Sequence, residues 1–128
     1  MEFLPKIKSD LTSIEKLKSA SNEEIRPYLL ELAEWLQDIN WPVAQHVALR
    51  LVKAGDDIVP VVKKILSGND DIWKYHVINN LVVNLEAHSF SKVMSEITRI
   101  VNEPTQGEIS EEVHLVARDA MVLYGHNV

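Results

Sequence analysis

Cysteine is absent, which removes disulfides, thiolate metal sites and cysteine nucleophiles from consideration. Nothing therefore points to an oxidising compartment, and the cytoplasm is the expected location. Glycine and proline are scarce, 4 and 5 among 128 residues, too few for a collagen-like or loop-dominated chain. No apolar run is long enough to cross a bilayer. The opening Met1-Glu-Phe-Leu-Pro-Lys6 also lacks the basic region, apolar stretch and small-residue cleavage site of a secretory signal, so a non-secreted, non-membrane protein is expected. Positive charge is in deficit as well. Thirteen Lys and Arg against 19 Asp and Glu give a formal net charge of −6, which disfavours a surface built to neutralise phosphates. Nucleic acid is accordingly not an expected partner, and the lysines near the start, Lys6, Lys8, Lys16 and Lys18, read as a solvated face.

What remains is an ordinary globular balance, 46% apolar and 25% charged, in a length that suits one hydrophobic core. A single domain over residues 1–128 is expected. Abundant Leu, Ala, Glu and Lys favour helices, and apolar residues recur at helical spacing almost throughout. A lead-in helix is expected from Ser9–Asp10 to Ala20. A second should follow Ser21, whose spacing to Glu24 is that of a capping box, with Ile25, Leu29, Leu32 and Leu36 on one face. Asn40, Asp57, Asp70 or Asp71, Ser89 and Ser110 are the expected caps of five more, with Gly55, Gly68 and Gly125 as stops. The stretch from Asn102 to Ile109, holding Pro104 and Gly107, reads as a loop. This makes roughly seven helices.

Two unlike motifs return at nearly one period. Ile25-x-Pro27 recurs 33 residues later as Ile58-x-Pro60, and Asp38-x-x-Trp41 recurs 32 residues later as Asp70-x-x-Trp73. Phe90 lies 32 residues after Ile58, whereas Val113 follows Trp73 by 40, a surplus that matches the loop before it. A helix pair cannot bury its apolar face alone, so stacked neighbours are expected to share a continuous core. The expected fold is all-α, a right-handed α-α superhelix of about three stacked antiparallel helix pairs with an N-terminal cap helix. The segment Ile58-Val-Pro60 through Leu66, then Asn69-Asp-Asp-Ile-Trp-Lys-Tyr75, resembles a HEAT-type repeat. That pattern usually places Arg early in the second helix, where this chain has Ala44 and Lys74, so the resemblance speaks for architecture only.

Glu34-Trp-Leu-Gln-Asp-Ile-Asn-Trp-Pro-Val-Ala44, Asn69-Asp-Asp-Ile-Trp-Lys-Tyr75 and Asn102-x-Pro104-Thr-x-Gly107-Glu together resemble a family of small bacterial proteins of unknown function, over roughly residues 10–124. The resemblance implies a bacterial origin and a helical fold, and it carries no activity or site residue.

No glycine-rich phosphate loop, nucleophile elbow or metal-binding histidine motif is present, so no catalytic residue, metal ion or cofactor is assigned. His46 and His76 occupy similar places after their tryptophans and are candidate titrating or ligand-binding groups, able to meet across stacked pairs. Asp38, Asp70, Asp71, Glu111 and Glu112 all precede or begin the second helix of a pair, where negative charge complements the helix dipole. Stacking would align these acids along one edge. Asp38, Trp41, Asp70, Asp71 and Trp73 are therefore the candidate partner-binding residues, a ridge of aromatics among carboxylates suited to a basic protein or peptide. The tryptophans serve equally as plugs between helix pairs. The function expected is a protein–protein interaction module, in one version an immunity protein that masks a basic toxin. The alternative is an enzyme or small-ligand-binding protein using the repeat groove.

Overall fold

The computed structural model describes residues 1–127 and contains helices and no strand among them. The lead-in helix α1 (Leu11–Ser19) is capped by Asp10, whose carboxylate accepts the Ser13 backbone N–H at 3.2 Å. Ser21 and Glu24 form the expected capping box at the start of α2 (Asn22–Ile25). The second helix is less regular than its apolar spacing predicts. Pro27 has no N–H to donate, so the chain tightens into a 3-10 turn at Arg26–Tyr28 before α3 (Leu29–Ala33) and another at Glu34–Gln37.

Several helix starts differ from expectation, each for a local reason. Helix α4 (Pro42–Val52) begins at its proline, which puts Trp41 rather than Asn40 at the N-cap. Gly55 is left-handed as expected, with φ 62°, but it opens a 3-10 turn that runs straight into α5 (Val59–Leu66). Asp57 lies inside that turn and accepts Arg26 Nε at 3.1 Å instead of capping. Asp70 caps α6 (Asp71–Asn80). Helix α7 (Ala87–Asn102) starts two residues before Ser89, whose buried hydroxyl donates to Asp56 Oδ1 at 2.7 Å. The expected loop contains α8 (Gln106–Ser110), because Thr105 and Glu108 form a second capping box. Ser110 thus ends α8, and α9 (Val113–Leu123) begins after Glu112, which sits in the left-handed region at φ 61°.

The helices fall into two rows. Helices α3, α5 and α7 pack side by side in one row, and α4, α6 and α9 in the other. Contacts between α3 and α4, α5 and α6, and α7 and α9 join the rows, and α1 lies against α4. Helices α2 and α8 are short connecting pieces. Several side-chain hydrogen bonds between distant elements span about one such interval: Arg26 to Asp57 spans 31 residues, Arg50 to the Leu17 carbonyl 33, Ser89 to Asp56 33 and Lys74 to Glu108 34, whereas Trp73 to Ala33 spans 40 and Tyr124 to Val82 42. The core between the rows is one continuous apolar cluster running from Phe3 to Met121. Most of it comes from aliphatic stripes at helical spacing, such as Val77, Ile78 and Leu81 on α6 and Val93, Ile97 and Ile100 on α7.

Candidate functional site

The turns that enter the second-row helices bring carboxylates to one edge. Before α4, Asp38 accepts the Asn40 backbone N–H at 2.9 Å, and Trp41 packs edge-to-face on Trp35 with ring centroids 5.6 Å apart. Before α6, Asp70 accepts the Trp73 backbone N–H at 3.0 Å, and the Trp73 indole N–H donates to the Ala33 carbonyl at 2.9 Å. Both tryptophans are half-buried and rest on the core. One turn beyond Trp73, burial pulls the His76 imidazole below its ordinary pKa, against the opposing charges of Asp38 and Asp70. His76 Nδ1 is buried without a hydrogen-bond partner. His76 also lines a cleft of about 390 Å³ with Ile72, Tyr75, Ser110, Glu111 and Glu112. Carboxylates from three turns thus gather around one histidine. His46 is half-buried on α4 and lines neither this cleft nor the groove described next.

Asp70 and Trp73 also belong to a groove of about 400 Å³ where α3 and its following turn meet α5 and the start of α6. Leu30 and the buried Ile65 supply its apolar surface, and the exposed Glu34 and Lys64 its charge. Among the described residues, no ion pair involves Glu34, Asp70 or Lys64.

Asp71 behaves differently from its neighbour. It turns inward, 2.9 Å from the ammonium of Lys74, which is itself 2.9 Å from Glu108 of α8. Arg99 of α7 grips the same Glu108 carboxylate with both terminal nitrogens at 2.6 Å. Lys74 and Glu108 are fully enclosed, at 2% and 0% exposure, whereas Asp71 and Arg99 are half-buried, so this is a four-charge cluster with a buried centre joining α6, α7 and α8. Burial raises the Glu108 pKa, but Arg99, the Thr105 backbone N–H and Lys74 together outweigh it and hold the carboxyl at about 2. The opposite charges balance within the cluster. With each cation already engaged, its arrangement is that of a structural tie between helices, although Asp71, Lys74, Arg99 and Thr105 also line a cleft of about 580 Å³.

A family described as "Domain of unknown function (DUF5071)" matches residues 3–121. The chain belongs to this family. The DUF5071 match spans the residues of the acidic edge, the Trp73 groove and the charge cluster. Among curated proteins, none matches the chain. No helix among the described residues is long and apolar enough to cross a membrane. Nor does any group of three or more His, Cys, Asp or Glu among them stand where it would hold a metal ion.

Of the residues singled out in the sequence, the structure brings Asp38 and Asp70 into electrostatic reach of His76 and places Asp70 with Trp73 in one groove. Lys74, Arg99 and Glu108 were not singled out. A signal for Lys74 existed: it lies three and four residues before Val77 and Ile78, on the buried stripe of α6.

Proposed function

We propose that this DUF5071 domain is a protein–protein interaction module that docks a basic partner on its acidic edge. The observation that supports this reading is the gathering of Asp38, Asp70, Glu111 and Glu112 around His76 from three successive turns. A row of carboxylates spaced by the stacking of helix pairs presents a fixed negative pattern, which speeds encounter with a positive surface and sets its register. Ile72, half exposed beside these acids, adds apolar contact at the centre. In its concrete form the partner is a toxin whose basic surface the domain masks, as a bacterial immunity protein would, and a toxin gene then lies next to this one. The module consists of HEAT-like stacked pairs forming one domain and works in the cytoplasm.

The test is affinity capture from the host with wild-type protein and with the double variant Glu111→Lys/Glu112→Lys, followed by calorimetry on the purified partner. Both residues are exposed but precede α9, where their negative charge complements the helix dipole, so the variant is expected to remain folded with a melting temperature lower by about 2–8 °C. Binding should weaken at least ten-fold on charge reversal and fall steeply with added salt. Binding that is indifferent to both changes would remove the acidic edge from the interface.

A further inference from the structure

We infer that the Trp73 groove is a pocket for one arginine side chain of the partner protein, an inference that rests on the reading of the acidic edge as a docking surface. The groove adjoins that edge through Asp70, which belongs to both. Its composition is specific. The Trp73 ring forms one wall and is held in a single orientation by its N–H bond to Ala33. A guanidinium laid on an indole face gains a cation–π contact, and its aliphatic stem is accommodated by Leu30 and Ile65. Two carboxylates without ionic partners, Glu34 and Asp70, face the same space as the side-chain amides of Gln37 and Asn69. Asp70 gives one oxygen to the helix cap, and its other oxygen makes no hydrogen bond within the protein.

The acceptor count selects arginine over lysine. Four acceptor-bearing side chains around one groove exceed the three donors of an ammonium and stay within the five N–H groups of a guanidinium, whose plane also suits the indole. Lys64, the single cation lining the groove, is exposed and could meet the carboxylate of a free arginine, so the choice of an arginine within a protein rests on the continuity of the groove with the acidic edge through Asp70.

The experiment is a titration of the uniformly labelled protein with N-acetyl-arginine amide, followed by nitrogen–proton correlation spectra. Saturable shifts are expected at the Trp73 indole N–H and at the backbone of Leu30, Glu34 and Ile65, with a dissociation constant on the order of 1–10 mM for so small a probe. The isosteric but uncharged N-acetyl-citrulline amide should produce none of these shifts, and the lysine analogue should bind at least three-fold more weakly. Glu34→Gln, an exposed position outside every ion pair, should weaken the arginine probe at least three-fold with an unchanged melting temperature.

Equal response to citrulline, or no groove response to arginine at saturating concentrations, overturns the proposal. Free arginine binding ten-fold more tightly than the blocked probe also overturns it, because the groove would then be built for a metabolite. The probe requires no partner, so the two readings fail separately. Loss of capture on reversing Glu111 and Glu112 with a silent arginine probe leaves the edge and removes the pocket. A positive probe with salt-insensitive capture leaves the pocket and removes the edge.

Discussion

Glu108→Gln replaces the one fully buried carboxylate of the charge cluster by an isostere that cannot ionise. A carboxyl held at about 2 instead of its ordinary 4.5 binds its proton roughly 300-fold more weakly in the folded chain, which corresponds to about 3 kcal/mol of stability at neutral pH. The general cost of removing one partner from a buried ion pair, roughly 3–5 kcal/mol, agrees with that figure. For a chain of this length a kilocalorie moves the melting temperature by roughly 4 °C, so the variant should melt about 12 °C below wild type at pH 7. The pH dependence separates charge from packing. Because the folded pKa is depressed, the stabilisation is fully present above 4.5 and is lost as pH falls toward 2. Glutamine has no such term, so the gap between the two proteins should shrink by roughly half or more at pH 3. Thermal melts of both proteins across this window supply the measurement. A gap at pH 7 below about 1 kcal/mol, or one of the same size at pH 3 and pH 7, would refute the account of Glu108 as a charge held by Arg99 and Lys74.

Two further outcomes follow from the same region and its neighbour. A methyl group added at Gly107 would collide with Asp71 Oδ2, and Asp71 is held near Lys74, so Gly107→Ala should destabilise by about 1–3 kcal/mol in urea unfolding. In the Asp71→Ala background the same substitution should cost much less, and equal costs would show that the contact does not matter. His76 should titrate below 6.5 in an NMR series, because burial opposes its charge, and Asp38→Asn should lower the midpoint further by removing a carboxylate that favours the imidazolium. Its lowered value means that folding loses stability as pH falls below 6.5, whereas an unshifted or raised midpoint would place His76 in solvent or beside stronger anions than those seen.

The helix count, the lead-in helix and the first capping box were legible because each depends on residues close in sequence. Ser21 and Glu24 satisfy one another within a single turn, and Ile25, Leu29 and Leu32 share a face by helical geometry alone. Bonds such as Arg50 to Leu17 and Lys74 to Glu108 span 33 and 34 residues, close to the spacing of the sequence motifs. Helix starts were misplaced where a competing device was stronger than a polar cap. Pro42 fixed the start of α4 one residue beyond Trp41, and the turn at Gly55 carried the chain into α5 without using Asp57 as a cap. Helix α8 was missed because Pro104 and Gly107 suggested a loop, although Thr105 and Glu108 spell a capping box between and beyond them. The charge cluster was the least legible feature. Its members come from three helices, and a lysine or glutamate reads as solvated until a tertiary partner 34 residues away removes it from water. The candidate edge lay between these extremes. Asp38, Asp70 and Trp73 were marked by their repeat positions, but Glu34 and Lys64 entered the groove only through packing that no local pattern announces.

Lys74 carries a consequence for the chemical reactivity of the protein. Its side chain is 3% exposed, hydrogen-bonded to Glu108 and in ionic contact with Asp71, so acylating reagents and lysine-modifying enzymes that read the folded surface reach it poorly. Freeing the amine means breaking its bond to Glu108 of α8, so labelling at this residue should report on local opening there. An acyl group found on Lys74 in cells would accordingly point to a molecule in which that bond had opened, whatever enzyme or metabolite supplied it.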